Sequence, residues 1–311
     1  MEIARITNSQ LIKDTSQRLP SSVAFGNFDG IHIGHQQVIQ QAIRVAKELK
    51  VESGVMTFYP HPLEVLTKVE HPSYLTPLED KLALFKDLGV DVVFVVDFTL
   101  DLAKLSPQEF IQRYIVDLQI KHVVTGFDFS FGHKGSGRVE HLEKWGLENK
   151  AFTVDVLSSV DQDHMKISSS RVRSALHDGR VGEVSELLNR YYKVKGTVIH
   201  GEKRGRTIGF PTANLELTQA YVLPRQGVYA VYVTIQGIRR QAVCNIGKKP
   251  TFHNKGQVSL EVHILDFEGH LYDSVVDVEF VAFLRSEQKF NGIDELVNQI
   301  HLDIKETKKY L

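Results

Sequence analysis

The feature that most constrains the fold of this chain is an alternation. From Val23 to about Leu188, apolar runs of strand length alternate with stretches patterned for helices. The strand-like runs are 23–26, 53–58, 92–97, 122–126 and 152–157, and helical patterns lie near 34–50, 78–88, 107–117 and 139–148. This order predicts an N-terminal doubly wound parallel α/β sheet, with helices on both faces and ligands gathered at the carboxyl ends of the strands. Past Tyr191 the texture changes to short β-rich runs at 193–199, 228–235, 242–246, 258–266 and 275–284, separated by glycine-bearing turns. Runs so regular and short predict a small antiparallel β-barrel. A C-terminal helix over 293–308, with Ile293, Leu296, Val297, Ile300 and Ile304 on one face, is expected to pack across it. The expected domains are 1–188 and 189–311.

At 311 residues the chain is long enough for two cores. Its formal net charge of -1 disfavours a protein that lives by neutralising nucleic-acid phosphates. Cys244 is the only cysteine, which suits a reducing compartment. The opening residues MEIARITNSQ carry no basic stretch leading into an apolar run, and no segment approaches bilayer-spanning length. The expectation is a cytoplasmic protein with no nucleic-acid or membrane partner, and with room for a weak homo-oligomer.

Within the first half, Gly26 to His35 reads GNFDGIHIGH. Asn27 to Gly30 forms a tight turn after a strand, and Val38, Ala42, Ala46 and Leu49 mark a helix that begins near Gly34. His32 and His35 therefore sit at the first turn of that helix, where unpaired N–H groups and the helix dipole favour an anion. Gly30 and Gly34 keep side chains out of the way so that a nucleotide's phosphates can approach the backbone, and Gly26, Asn27, Asp29 and Gly34 are the further phosphate-binding candidates of the segment. FYPHP, Phe58 to Pro62, is stiffened by Pro60 and Pro62 around His61 and could wall a flat pocket. GFDFSFG, Gly126 to Gly132, offers the rings of Phe129 and Phe131 beside Asp128. ISSSRVR, Ile167 to Arg173, opens a helix with Ser168 and Ser169 and presents Arg171 and Arg173, both suited to phosphate.

Two features stand out in the second half. GEKRGRTIGFPTANL, Gly201 to Leu215, combines Gly201, Gly205 and Gly209 with three basic residues, as a polyphosphate-binding loop would. Thr212 and Asn214 add the neutral oxygens that magnesium accepts beside phosphate. In VSLEVHI, Val258 to Ile264, period-two alternation turns Ser259, Glu261 and His263 away from the apolar face, so Glu261 can act as a general base towards a hydroxyl.

Taken together, the first-half segments resemble the nucleotidyltransferase superfamily, with its H-x-G-H signature at His32–His35 and its I-S-S-T/S-x-x-R signature at Ile167–Arg173. FYPHP and GFDFSFG narrow the resemblance to the adenylyltransferase half of bacterial bifunctional FAD synthetases. The second half resembles riboflavin kinase, whose signature is the G-F-P-T-A-N run, here Gly209–Asn214, with a catalytic glutamate on a later strand that maps onto Glu261. NIGKKPTF, Asn245–Phe252, and RSEQKF, Arg285–Phe290, match that family too.

The resemblance implies that ATP phosphorylates riboflavin to FMN in the barrel and adenylylates FMN to FAD in the first half, with magnesium accompanying ATP. It implies that His32 and His35 bind the ATP phosphates, and that Ser168, Ser169, Arg171 and Arg173 hold the departing pyrophosphate. Pro60, His61, Pro62, Asp128, Phe129 and Phe131 would line the flavin and nucleotide pockets. Thr212 and Asn214 would bind magnesium and ATP, and Arg285, Glu287 and Phe290 would form a flavin loop. Two rival readings stand beside it: a nucleotidyltransferase for another phosphorylated acceptor, and a flavin or nucleotide sensor without turnover.

Overall fold

The computed structural model describes residues 1–7, 19–67, 73–163, 165–200, 205, 208–248 and 258–311. They form two compact units, Met1–Ser168 and Ser169–Leu311.

In the first unit six parallel strands stand in the order β1 (Glu2–Ile6), β4 (Val92–Asp97), β3 (Glu52–Tyr59), β2 (Ser21–Phe25), β5 (Ile120–Gly126) and β8 (Thr153–Leu157). Every residue of β2 is buried, as a strand covered on both faces requires. On one face Ala24, Val55, Val93, Val95 and Val124 pack with Val38, Ile39 and Ala42 of α1 (Ile33–Leu49) and Phe85 of α3 (Leu78–Asp87). On the other face Val23, Phe25, Met56 and Phe94 pack with Phe110 and Ile111 of α4 (Pro107–Ile111) and Leu142 of α5 (Val139–Asn149). The sheet is thus doubly wound. A short helix α2 (Pro62–Thr67) and the two-residue strands β6 (Ser130–Phe131), β7 (Gly137–Arg138), β9 (Asp161–Gln162) and β10 (Met165–Lys166) decorate the carboxyl edge.

Two local expectations are corrected, and one strand carries no sequence signal. Leu49, the last residue of α1, is exposed, and Val38, Ile39, Ala42 and Ala46 carry the buried stripe. The helix begun at Pro107 keeps α geometry only to Ile111, and its turns then widen through Val116. The edge strand β1 lacks a continuous apolar run because only Ala4 and Ile6 face the core.

The second unit opens with α6 (Ser169–His177) and α7 (Val181–Leu188), which pack against each other. A closed antiparallel barrel follows, in the order β11 (Tyr192–Ile199), β12 (Ala213–Leu217), β15 (Val258–Ile264), β14 (Ile238–Lys248), β13 (Gly227–Ile235) and β16 (Val275–Arg285). Leu215, Ile246, Cys244, Leu260 and Val262 are buried inside it. Their neighbours in sequence point outwards by the pleat.

The closing helix α8 (Ile293–Tyr310) packs on β13, β14 and β16. Ile304 joins Val228, Val243, Leu265 and Leu284 there, whereas Ile293 is exposed. The fully buried residues of α8 are polar: Asp303 and Thr307.

Candidate active sites

Strand order places the first site. β2 has β3 on one side and β5 on the other, so chain direction around the sheet reverses at β2, and a crevice opens at the carboxyl ends of these strands. FYPHP leaves β3, GNFDG leaves β2 and GFDFSFG leaves β5. Three segments far apart in sequence thereby converge on one edge.

The turn after β2 is tightly specified. Gly30 takes a left-handed φ of 88°, which favours glycine, but Phe28 and Ile31 also have positive φ, at 51° and 42°. Both are bulky and fully buried, so packing holds a conformation that costs about 1–3 kcal/mol per residue. Hydrogen bonds reinforce it: Thr57 Oγ1 donates to the Asn27 carbonyl at 3.1 Å and Gln36 Nε2 to the Ile31 carbonyl at 2.9 Å. Asp29 is buried, and its Oδ1 accepts the backbone N–H groups of Leu75 and Thr76 at 3.0 and 3.1 Å. Its placement is that of a staple for the turn.

His32 caps α1, its Nδ1 accepting the His35 N–H at 3.3 Å. The two imidazoles stack at 3.6 Å between centroids. A Cβ on Gly34 would press on the His32 ring at 3.3 Å, so the small residue lets the rings lie flat. Burial is the main cause that pushes the His35 pKa well below the ordinary imidazole value, followed by the charges of His32, Lys81 and Lys166. At neutral pH His35 is therefore neutral, and its buried Nδ1 has no hydrogen-bond partner among the described residues. The Asn27 side-chain oxygen is a second such atom. An unsatisfied imidazole nitrogen at a helix N-terminus can donate to an anionic ligand, whereas the Asn27 oxygen calls for a donor.

The flanking segments divide. His61 Nδ1 accepts the Leu63 N–H at 3.2 Å and its backbone N–H donates to the Tyr74 hydroxyl, so Pro60 and His61 lead into α2, which starts at Pro62. Asp128 pairs with Lys166, which also lies 4.5 Å over the Phe127 ring. Phe131 belongs to the hydrophobic core and Phe129 packs against it, 6.0 Å from Phe25. The exposed aromatic of that segment is Phe127.

Ser168 ends the first unit, while Ser169, Arg171 and Arg173 lie on α6 in the second. Arg171 Nε donates to Glu183 Oε1 of α7 at 3.0 Å, fixing the guanidinium.

In the barrel, one row of register builds the site. Across adjacent strands Asn214 faces Glu261, Glu261 faces Asn245, Asn245 faces Val228 and Val228 faces Arg285. Cross-strand partners share a face, and this row points outwards, towards α8. A cavity of about 310 Å³ opens there, lined by Gly205, Phe210, Thr212, Asn245, Glu261, His263, Arg285, Glu287 and Phe290, with Leu296, Ile300 and Asp303 from α8. His263 Nδ1 bonds the Pro211 carbonyl at 2.8 Å and so ties the P-T-A-N run to β15. Gly209 turns that run with φ 89°. Gly201 and residues 249–252 of NIGKKPTF lie outside the described residues.

The flavin-loop candidates are anchored from two directions. Arg285 makes a two-pronged ion pair with Asp303, Nε to Oδ1 at 2.9 Å and Nη2 to Oδ2 at 2.8 Å, and Gln299 adds a bond to Oδ1 at 2.9 Å. Glu287 sits directly over Gly247, where a Cβ would collide with its carboxylate. Here the glycine supplies space.

Sequence motifs did not single out Lys81 or Asp303, and gave Asn245, the first residue of NIGKKPTF, no role of its own. All three carry one shared signal, a polar side chain interrupting an apolar face: Lys81 between Leu78, Leu82 and Phe85, Asn245 beyond Val243, and Asp303 beside Ile300 and Ile304.

Comparison with known proteins agrees with this layout. Residues 14–171 match the FAD synthetase family model and residues 188–311 match the riboflavin kinase model. The bifunctional riboflavin kinase/FMN adenylyltransferase of Bacillus subtilis is 45% identical, over 100% of this chain and 98% of its own length. The protein of that name from Escherichia coli is 38% identical over 90% of each. A crystal structure described as a macrolide-efflux protein from Streptococcus pneumoniae superposes with a TM-score of 0.89, at 34% identity, over 99% of both chains. Among the described residues no helix is long and apolar enough to cross a membrane. With both halves matched in order and across the whole length, the chain belongs to the bifunctional riboflavin kinase/FMN adenylyltransferase family.

Proposed function

We propose that the two reactions use separate residue sets, the crevice after β2 for adenylyl transfer and the outer face of the barrel for phosphorylation. The observation that carries the reading is the register row Asn214–Glu261–Asn245, which sets one carboxylate between two amides, with Glu261 and Asn245 lining the cavity. Glu261 takes the proton from the 5′-hydroxyl of riboflavin as that oxygen attacks the γ-phosphate of ATP, giving FMN and ADP. Thr212, in the cavity lining, and Asn214, beside Glu261, supply hard oxygens suited to a magnesium ion carried by ATP. Such an ion neutralises phosphate charge when bound. Phe290, Leu296 and Ile300 give the cavity an apolar wall for the flavin ring, and Glu287 and Arg285 border it.

In the first site a phosphate oxygen of FMN attacks the α-phosphate of ATP and pyrophosphate leaves. No enzyme nucleophile is required, so positioning and charge carry the rate. His32 and His35 meet the ATP phosphates at the start of α1, while Ser168, Ser169, Arg171 and Arg173 receive the pyrophosphate. Phe127 to Phe131 and Pro60 to Pro62 border the crevice. We place the functional division at 188/189, so that α6 and α7 serve the transferase although they pack in the second compact unit. A cytoplasmic setting suits the single, buried Cys244.

The deciding experiment incubates the purified chain with riboflavin, ATP and magnesium and separates the flavins over time. FMN rising before FAD is the expected result. No product, even from supplied FMN, would overturn the reading in favour of a sensor.

A further inference from the structure

Lysine is almost never fully buried without a partner, because removing an ammonium from water costs several kcal/mol. Lys81 of α3 is 3% exposed. Its Nζ donates to the Asn27 carbonyl at 2.7 Å, and the Asp29 carboxylate supplies the nearby negative charge. A methionine would fill the same volume without the charge, so the charge calls for an explanation.

The geometry around Asn27 offers one. Its carbonyl oxygen receives two donors, Lys81 Nζ and Thr57 Oγ1, which use both lone pairs and fix the peptide plane. In a trans peptide the N–H of Phe28 then points the opposite way, presenting a backbone donor on the side of the turn away from Lys81. That plane leads into the two left-handed residues, Phe28 and Ile31, and from them into His32 and His35. Lys81 also acts electrostatically on His35 across the turn.

We propose that Lys81 is a positioning residue for adenylyl transfer: its ammonium pins the strained Asn27–Ile31 turn and places a fixed positive charge behind the two histidines that receive the ATP phosphates. The inference rests on the assignment of His32 and His35 made above. It also gives transfer a pH dependence. Burial lowers the Lys81 pKa to about 8, with Asp29 opposing the shift. The charge is present below that value and lost as pH rises through it. Asp29 and His35 are the ionisable groups coupled to Lys81, and His32 and Lys166 act on the same imidazole.

The test uses the full chain, in which phosphorylation of riboflavin serves as an internal control. K81M should lower kcat/KM for FMN adenylylation by about 10- to 100-fold, the scale of a small misplacement of reacting groups. Kinase turnover should be unchanged. The unaltered chain should show an alkaline limb near pH 8 for transfer. In K81R, whose guanidinium stays charged, the rate should be largely retained and that limb should move upwards. Transfer in K81M within about twofold of the unaltered chain would overturn the inference, a change far below the misplacement scale. So would the absence of any limb between about pH 7 and 9 in the unaltered chain, a result that needs no variant to fold. H32N and H35N separate the two claims: if they leave transfer intact, the assignment of the histidines fails, whereas if they abolish it and K81M does not, only the role of Lys81 fails.

Discussion

The two sites are built by opposite strategies. In the first, contiguous residues do most of the work: GNFDGIHIGH supplies strand end, turn, cap and both imidazoles within ten positions of the chain, and the parallel sheet sets its neighbours beside it. In the second, residues on five strands are aligned by hydrogen-bond register, and α8 closes the cavity from outside. A local motif stores its geometry in strained backbone, as at Phe28 and Ile31. A register row stores it in the ladder, where no residue is strained but every strand must pair correctly. The first is therefore sensitive to what braces the turn, and the second to anything that shifts a strand or lifts α8.

The sharpest way to break the comparison is E261Q. Removing a general base should cut FMN formation by about 10³-fold. Conversion of supplied FMN to FAD should persist, measured by separating the flavins. Loss of both would mean that the sites are not separate. A smaller effect is expected from D303A. Arg285 is then left without its two-pronged partner beneath α8, and breaking a buried pair costs about 3 kcal/mol. Denaturant unfolding of the second unit should record that loss, together with a raised KM for riboflavin. An unchanged KM would show that the Arg285 anchor is structural only. Next comes G247A, whose methyl group occupies the seat of the Glu287 carboxylate. Overpacking of this kind should raise the riboflavin KM about tenfold while the ATP KM holds. Equal rises in both would move Glu287 from the flavin side to the nucleotide side.

The comparison also explains what could be read in advance. The doubly wound sheet and the barrel are legible because burial on two faces, or on one, imposes distinct periodicities. His32 and His35 are legible because their spacing belongs to one helix turn. Glu261 is legible from alternation within its own strand. Asn245 as part of the site is not, since its neighbourhood to Glu261 exists only once β14 and β15 pair in register. Asp303 and Lys81 resist for a related reason: a polar residue on an apolar stripe reads as a flaw in the pattern until the partner it meets is known. Asp128 and Phe131 mark the converse, residues of suitable chemistry whose contacts, with Lys166 and with the core, appear only in the fold.

The smallest expected effect addresses the seam between the two strategies. α6 carries the arginines of the first half's signature, yet it packs on α7, and α7 on β16 of the barrel. Arg171 is held by Glu183, both side chains being largely buried, so its guanidinium is oriented before any ligand arrives. E183Q keeps the shape and weakens that hold. Glutamine keeps a neutral hydrogen bond in place of the charged one, a difference of about 1 kcal/mol, so a loss of up to about fivefold is expected in kcat/KM for FAD formation, with none in FMN formation. The opposite pattern, with the kinase slowed and the transferase intact, would mean that α6 and α7 serve the barrel they pack against. If both rates fall together, the two helices would couple the sites, because a change at Glu183 would have travelled through α7 to β16, whose last residue is Arg285.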